Sequence, residues 1–297
     1  MLFSNANFGN FAKDPAVAAF SGHYYLYHSI RYPDGRFGIG IAESSDLENW
    51  TIMGEMTMDE AYERNGIAAP GAIVLDNQVH LFYQTYGNGK NDAICHAVSN
   101  DGIHFSRNPE NPVFSPGTQW CCGRAIDADV CVFNGKLHLY FATRDHAMQI
   151  QQIGGAWADP DSGFGRNAWH ILADHPLLIP ELPWEGECIE APATIVRDGK
   201  IFLFYGGSYN CTPQQIGYAV SEDGIRFTRL SREPFLRCGK PGSWNASESG
   251  HPYVFEDGDR IYLFYQGSAD NGRTWYLSKT GIRFVNGIPA VAGEEPQ

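Results

Sequence analysis

The segment TIVRDGKIFLFYGG, residues 194–207, contains two apolar runs separated by Asp-Gly. Asp-Gly between two such runs is a strong signal for a tight β-hairpin. The second run recurs at four other places, as YYLYHS (24–29), VHLFYQT (79–85), LHLYFAT (137–143) and IYLFYQG (261–267). The matched leucines are 55, 58, 64 and 60 residues apart, at Leu26, Leu81, Leu139, Leu203 and Leu263. A repeat of this length indicates an architecture built from copies of one supersecondary unit.

Each copy contains four strand-like runs. The run before the core ends in a turn, as in AVAAFSGH, GAIVLDNQ, DVCVFNGK and YVFEDGDR. A third run and then a turn with a fourth run follow the core, as in AICHAVSN with DGIHFSRN and QIGYAVSE with DGIRFTRL. In the last copy the same parts are RTWYLSKT and TGIRFVNG, and in the third copy they are replaced by the longer GGAWADPDSGFGRNAWHIL.

These copies predict an all-β fold, a five-bladed β-propeller with four antiparallel strands per blade. The alternative is a β-sandwich, which does not repeat a four-strand unit five times. The 297 residues are expected to form one catalytic domain over 1–297, with a short flexible tail at about 292–297.

The bulk composition restricts the class of partner. A net charge of −13 argues against binding to nucleic acid or to an anionic membrane. No apolar run approaches the roughly 20 residues of a membrane span. The N-terminal residues show no basic segment followed by an apolar one, so a cytoplasmic location is expected. The seven cysteines match no zinc spacing, and we expect free thiols.

Aligned copies place acidic residues at equivalent positions. Twelve residues before each leucine stand Asp14, Ala69, Asp127, Ala191 and His251, and Glu190 directly precedes Ala191. These positions open the innermost strand of each blade, which lines the central channel of a propeller. We therefore expect Asp14, Asp127, Glu190 and His251 to meet at one end of the axis.

Several carboxylates in one site raise at least one pKa, which leaves one group protonated and another ionised near neutral pH. Hydrolysis of a glycosidic bond needs this pair, an acid for the leaving oxygen and a carboxylate that activates water or attacks carbon. Other interpretations exist for single residues. Asp14 before Pro15 is also a turn former, and Asp127 can simply bind neighbouring amides. Asp129, two residues further on, can take the place of Asp127, and a buried histidine such as His251 is often structural.

Four segments carry a resemblance to a known family. DPAVAAFSGHYYLYHS with ESSDLENW, IDADVCVFNGKLHLYFAT, IEAPATIVRDGKIFLFYGGS and SGHPYVF resemble, in order, the motifs of glycoside hydrolase family 43. That family belongs to a clan of five-bladed propellers shared with the fructan-cleaving family 32. The resemblance implies an inverting glycosidase with Asp14 as general base and Glu190 as general acid. It also implies that Asp127 raises the pKa of the acid and orients it.

The resemblance further implies that His251 lies on the axis, where it would hold a water molecule or a structural Ca²⁺ ion, and that no cofactor is required. Two features depart from the family. Ala68-Ala69-Pro70 stands where Trp-Ala-Pro is frequent, so one usual sugar platform is missing. The fourth strands carry Asp-Gly-Ile-(Arg/His)-Phe where many members have Gly-Pro, and the family 32 signature is absent.

Loops near the channel mouth supply candidate sugar-binding residues. Aromatic faces can pack on the C–H faces of sugars, and arginines can bind hydroxyl groups or balance the carboxylates. The alternative role for the tryptophans is to seal adjacent blades, and for the arginines to lie solvated at the surface. The candidates are Trp120, Trp184, Trp244, Tyr86, Arg144, His146, Tyr209 and Arg273, with Arg31 as a weaker one.

The leading hypothesis is an exo-acting glycosidase that removes α-L-arabinofuranosyl or β-D-xylosyl units from an oligosaccharide substrate. The alternatives are a retaining fructosidase, a glycan phosphorylase with a cationic phosphate pocket, and a glycan-binding propeller without catalysis.

Overall fold

The computed structural model describes residues 1–293 and shows five antiparallel sheets around one axis. The first blade comprises β2 (Lys13–Phe20), β3 (His23–Arg31), β4 (Phe37–Ser44) and β5 (Thr51–Met56). The second comprises β6 (Ile67–Leu75), β7 (Gln78–Thr85), β8 (Ile94–Ser99) and β9 (Ser106–Arg107). The third comprises β10 (Ile126–Phe133), β11 (Lys136–Arg144), β12 (Gln151–Ala158) and β13 (His170–Ile171). The fourth comprises β14 (Ile189–Arg197), β15 (Lys200–Gly207), β16 (Gln215–Ser221) and β17 (Thr228–Arg229).

The fifth blade joins both ends of the chain. It contains β18 (Glu248–Asp257), β19 (Arg260–Ser268) and β20 (Tyr276–Val285), and β20 pairs with both β1 (Leu2–Phe3) and β21 (Ile288–Val291). Leu2 lies opposite Ser278 and Phe3 opposite Leu277 in this pairing. The N-terminal strand therefore closes the ring by hydrogen bonding to a strand from the other end of the sequence.

The five-bladed propeller predicted from the repeats is confirmed. All five repeat leucines lie in the second strand of their blade and have zero exposure, because they pack in apolar clusters between adjacent blades. Apolar clusters formed in this way fill the spaces between successive sheets. This packing between neighbours is what makes a blade stable only as part of the ring.

The fifth blade differs from the expected pattern. TGIRFVNG was predicted to contain a turn and a separate fourth strand, but residues 276–285 form one continuous strand. In other blades a serine and an aspartate two residues later build the turn, as where Ser99 Oγ donates to Asp101 Oδ1 at 2.9 Å. Asp101 Oδ1 then accepts the N–H groups of Ile103 and His104. Thr280-Gly281 lacks that aspartate, so the strand continues.

Three short 3-10 helices, Ala6–Phe8, Ala61–Glu63 and Gly89–Asn91, are the only helices of residues 1–293. None of them has the length or the apolar character that crossing a membrane would need. All seven cysteines are free, as expected. The predicted tail at about 292–297 falls mainly on residues 294–297, which lie outside the described residues.

Candidate active site

The five equivalent positions share one unusual backbone conformation. Each innermost strand has a register shift at this point, and the residue there has a positive φ. The values are 52° for Asp14, 45° for Ala69, 53° for Asp127, 51° for Ala191 and 42° for His251. A bulge re-aims the side chain and interrupts the ladder, and a left-handed conformation is strained for residues other than glycine. Strain of this kind concentrates at functional sites.

Side chains from the neighbouring blade hold four of these bulges in place. The N–H of Asp14 donates to Gln266 Oε1 at 3.0 Å, and that of Asp127 donates to Gln84 Oε1 at 2.6 Å. Ala69 N–H donates to Ser29 Oγ at 2.9 Å, and His251 N–H to Gln214 Oε1 at 3.2 Å. Three of the acceptors, Ser29, Gln84 and Gln266, stand three residues after the repeat leucine of the preceding blade. Hydrogen bonds of this kind therefore link four of the five pairs of neighbouring blades at this end of the axis.

His251 connects two of the predicted catalytic carboxylates. Its Nδ1 lies 2.9 Å from Asp14 Oδ1 and its Nε2 lies 3.1 Å from Glu190 Oε1. All three side chains are at most a tenth exposed. Burial by itself would lower the pKa of His251, but the adjacent Asp14 charge and the hydrogen bond to Glu190 raise this pKa well above its usual value. The imidazole is therefore expected to be a cation at neutral pH.

Two carboxylates of the site are kept ionised. Burial opposes ionisation of Asp14, yet the nearby Lys13 and His251 cations hold its pKa well below the usual value. Burial likewise opposes ionisation of Glu190, but His251 and Gln214 hold its pKa below the usual value. Gln214 Nε2 donates to Glu190 Oε1 at 2.6 Å, and Gln151 Nε2 donates to Glu190 Oε2. Both oxygens of Glu190 are thus engaged by donors.

Asp127 is the carboxyl that favours its proton. Burial is the main cause that raises the pKa of Asp127 to about 7; the attraction of His251 opposes it, and repulsion by Glu190 and Asp14 adds to it. Its buried Oδ2 has no hydrogen-bond partner among the described residues. One ligand atom each of Asp127, Glu190 and His251 lies within 4.8 Å of the others. Of the two carboxyl groups, Asp127 therefore binds a proton more readily than Glu190, the residue that the resemblance assigns as the general acid.

Asp129 makes its hydrogen bonds away from Asp127 and Glu190. It accepts bonds from the N–H and Oγ1 of Thr194, at 2.8 and 2.5 Å. Burial raises its pKa to about 7, and it lines a small cavity deeper along the axis rather than the catalytic pocket. Asp127, and not Asp129, therefore lies beside Glu190 and His251.

A cavity of about 330 Å³ opens above these groups. Its volume is at the lower end of ligand pockets, which are roughly 300–1,000 Å³. The predicted residues Asp14, Tyr86, Asp127, Arg144, Glu190, Tyr209 and His251 all line it. The structure therefore brings together the whole predicted catalytic set and three of the predicted binding residues.

The predicted tryptophans do not line this cavity. Trp184 stacks on Tyr205 with ring centroids 6.1 Å apart and donates to the Arg232 carbonyl. Trp244 packs on Tyr265, and Trp120 lies against Gly154 and Phe141. Glycines at 154, 207, 217 and 267 leave room for these indoles, since a Cβ there would collide with one of them. Each tryptophan therefore packs against the blade that it precedes and forms no wall of this cavity.

Three other candidates also lie outside the cavity. His146 is exposed, and its Nε2 contacts the Gln119 carbonyl at 2.6 Å. Arg273 is exposed in a turn where its N–H donates to Asp270 Oδ1. Arg31 lies over the ring of Phe11. His146 and Arg273 belong to loops whose conformation the repeat pattern does not specify, and Arg31 is the last residue of β3.

Further lining residues were missed from the sequence. They are Lys13, Phe37, Ala68, Gln84, Arg124, Ile126, Gln151 and Asn210. Lys13 directly precedes Asp14, so adjacency could have indicated it. Gln84 follows its repeat leucine by three residues, as Gln266 does, and that recurrence was a usable signal. Arg124 and Asn210 reach the pocket from irregular segments, and Gln151 begins β12; none of the three carries such a mark.

A cation site at Asp127, Glu190 and His251 is allowed by spacing alone. Calcium prefers six to eight oxygen ligands. Here one of the three donors is an imidazole whose two nitrogens already contact carboxylates. The donor set therefore fits Ca²⁺ poorly, and the chemistry below is derived from the side chains.

A five-bladed propeller with a buried acidic cluster on its axis, under a cavity of sugar size, defines the class of propeller glycosidases. The family model of glycosyl hydrolases family 43 matches residues 3–284. The chain belongs to this family, as the four segments indicated.

Individual relatives are more distant. A xylosidase/arabinosidase of Bacteroides ovatus is 25% identical over 159 residues, which are 50% of this chain and 44% of that protein. A β-1,2-mannobiose phosphorylase of Thermoanaerobacter sp. (strain X514) is 31% identical over 119 residues, 35% of this chain and 38% of that protein. The matches thus span less than half the length of these relatives. The crystal structure of a thermostable family-43 glycoside hydrolase has a TM-score of 0.79 at 24% identity, covering 96% of this chain and 95% of that one.

Proposed function

We propose that this protein is an exo-acting, inverting glycoside hydrolase that removes α-L-arabinofuranosyl or β-D-xylosyl units from oligosaccharides. The observation that carries the proposal is the placement of Asp14 and Glu190 on opposite sides of the His251 ring, at the base of the cavity. Inverting enzymes need two carboxyl groups roughly 6.5–9.5 Å apart, with room for water between them and the sugar. An intervening imidazole keeps the two groups from direct contact.

In this proposal Asp14 is the general base. Its low pKa keeps it ionised, and it accepts the proton of the water that attacks the anomeric carbon. The glycosidic C–O bond breaks as the new C–O bond forms, and the leaving oxygen takes the proton of Glu190. His251 fixes both carboxyl groups through its two nitrogens, which orients them toward the same substrate.

Glu190 needs a proton before it can act as an acid. Asp127 holds a proton near neutral pH, and the two groups offer atoms within 4.8 Å of each other. One water molecule can bridge such a gap. We propose that Asp127 and Glu190 share one proton and titrate as a pair, with the sugar oxygen favouring its transfer to Glu190.

The size of the cavity supports removal of single terminal units. A space of about 330 Å³ is at the lower end of ligand pockets, which favours a small ligand, and its walls at Tyr86, Tyr209 and Phe37 present aromatic surface. The relative named as a xylosidase/arabinosidase supports pentosyl units as the first candidates.

The test is a panel of aryl glycosides, including α-L-arabinofuranoside, β-D-xyloside, β-D-galactoside and β-D-fructoside, with the product anomer followed by NMR. Glu190→Gln and Asp14→Asn are expected to lower kcat/KM by about 10²–10⁴. The loss in Glu190→Gln should be smaller for aryl groups of low pKa, which leave without a proton, and Asp14→Asn should show no such dependence. Exposed Glu222→Gln and Asp198→Asn serve as matched controls. Undiminished activity in both catalytic variants would contradict the assigned roles.

A second candidate is phosphorolysis, favoured by the mannobiose phosphorylase relative and by the cations Lys13, Arg124 and Arg144 in the cavity wall. In that reaction a phosphate oxygen bonds to the anomeric carbon while the glycosidic bond breaks and the leaving oxygen is protonated. Its signature is a sugar 1-phosphate that forms only when phosphate is present.

A further inference from the structure

Arg144 is a fixed guanidinium in the wall of the cavity. It lies at the end of β11, and its Nε donates to Gln151 Oε1 at 2.9 Å. Its Nη1 donates to the Met148 carbonyl at 3.2 Å, and its Cζ lies 5.4 Å from the ring centroid of Tyr209. Two hydrogen bonds and an aromatic face therefore hold the group before any ligand arrives, which reduces the entropy lost on binding.

Its charge is not balanced by the protein. Within residues 1–293, no carboxylate forms an ion pair with Arg144, and its Nη2 has no hydrogen-bond partner. The other two cations of the wall differ. Arg124 lies 3.4 Å from Asp92, and Lys13 lies 3.9 Å from Asp14 and donates to Asn210. A partly buried arginine without an anion is a frequent sign of a ligand that brings one.

Arg144 is also connected to the acid of the site. The Gln151 amide that accepts from Arg144 Nε donates through its Nε2 to Glu190 Oε2. Gln151 thus lies between the free guanidinium and Glu190. Asp14, the proposed base, contacts His251 of the fifth blade and Lys13 of the first blade, whereas Arg144 ends a strand of the third blade.

We infer that Arg144 binds an oxyanion, so that the ligand of this cavity carries a carboxylate or phosphate group beside the sugar ring. The inference rests on the cavity being the sugar site proposed above. Two sources share this chemistry, the carboxylate of a uronic acid unit and inorganic phosphate as co-substrate. In a chain of net charge −13, a fixed local cation is what permits binding of such a group.

Calorimetric titration of the wild-type protein with D-glucuronate, inorganic phosphate and neutral D-xylose tests the inference, because none of these is a glycoside and none is turned over. At least one oxyanion should bind more tightly than xylose. Arg144→Met should weaken that binding by about 10-fold to 100-fold, while Arg144→Lys retains part of it. Exposed Arg226→Met is the matched control and should leave it unchanged.

The titrations distinguish the two possible sources of the oxyanion, inorganic phosphate and a uronic acid unit. Binding of phosphate, with sugar 1-phosphate formed from an oligosaccharide, identifies phosphate, and binding of glucuronate alone identifies a uronic acid substrate. The inference would be overturned if neither oxyanion bound more tightly than xylose, or if Arg144→Met bound the oxyanion as tightly as the wild-type protein does. In that case, hydrolysis of neutral aryl glycosides by the wild-type protein, with loss of this activity in Glu190→Gln, would still support the proposed hydrolase function.

Discussion

At the scale of single residues, the free energy of unfolding depends on pH through the carboxyl groups at the axial site. The pKa of Asp127 is raised to about 7, so the folded protein binds this proton more tightly than the unfolded chain does. The contribution of Asp127 to stability is therefore lost as pH rises from about 4 through 7. Asp14 behaves in the reverse way, because its lowered pKa stabilises the fold above about pH 4. The pKa values of the two acids are thus shifted in opposite directions, and perturbed pKa values of this kind cluster at functional sites.

Asp127→Asn should therefore stabilise the protein above pH 7 and abolish most activity. Asparagine resembles the protonated acid, so the two proteins should have similar free energies of unfolding near pH 4. Above pH 7 the variant should gain up to a few kcal/mol, since each pKa unit corresponds to about 1.36 kcal/mol. Urea denaturation at pH 4 and pH 8 measures the difference, with exposed Asp198→Asn as the control. A gain of equal size at both pH values would speak against proton binding as the cause.

At the scale of elements, the bulges of the innermost strands depend on side chains of the neighbouring blade. Gln84 is 2% exposed and accepts the N–H of Asp127 at 2.6 Å. The bulge removes this N–H from the ladder between β10 and β11, so the glutamine is its replacement acceptor. Sheet and site are thus coupled through one hydrogen bond.

Gln84→Leu should leave the Asp127 N–H buried and unpaired. The expected loss in free energy of unfolding is about 1–3 kcal/mol. Activity should fall as well, because Asp127 is then free to shift from its place beside Glu190. Gln78→Leu on the same strand removes only a contact to Asn100 at the surface, and should change stability by about 0.5 kcal/mol or less. Urea denaturation and aryl glycoside kinetics distinguish the two, and equal effects would exclude a special role for Gln84.

At the scale of the whole molecule, the ring is closed by residues from both ends of the chain. Phe3 is 7% exposed and contacts the His28 ring at 5.1 Å, while its strand pairs with β20. Ser4 Oγ donates to the Trp275 carbonyl at 2.8 Å, which adds a second link between the ends. The N-terminal strand therefore stabilises the first and fifth blades together.

Phe3→Ala should lower the free energy of unfolding by up to about 3–5 kcal/mol, since it opens a cavity at the closing seam. Leu2→Ala is the matched control, because Leu2 is 54% exposed and its side chain contributes little burial. Thermal and urea unfolding of both variants provide the measurement. Similar losses from both substitutions would show that strand pairing, and not the buried ring, closes the molecule.

Much of this architecture was readable from sequence because its signals are local and repeated. Apolar runs with turn residues between them specify hairpins, and five copies at similar spacing specify blades. Counting back from Leu26, Leu139 and Leu263 located Asp14, Asp127 and His251 without any contact information. A repeat places equivalent residues at equivalent positions, so convergence on the axis follows from symmetry.

The remaining features depend on contacts between distant parts of the chain. Trp184 and Trp244 pack within blades because glycines on neighbouring strands leave space for them. Arg144 reaches the cavity because Gln151 and the Met148 carbonyl hold it there. Which carboxyl carries the proton follows from burial and from donors such as Gln214, which lies 24 residues from Glu190. Periodicity and turn chemistry act over a few residues and therefore specify blades and their axial positions, whereas loop conformation, pKa and ring closure arise from packing across the folded molecule.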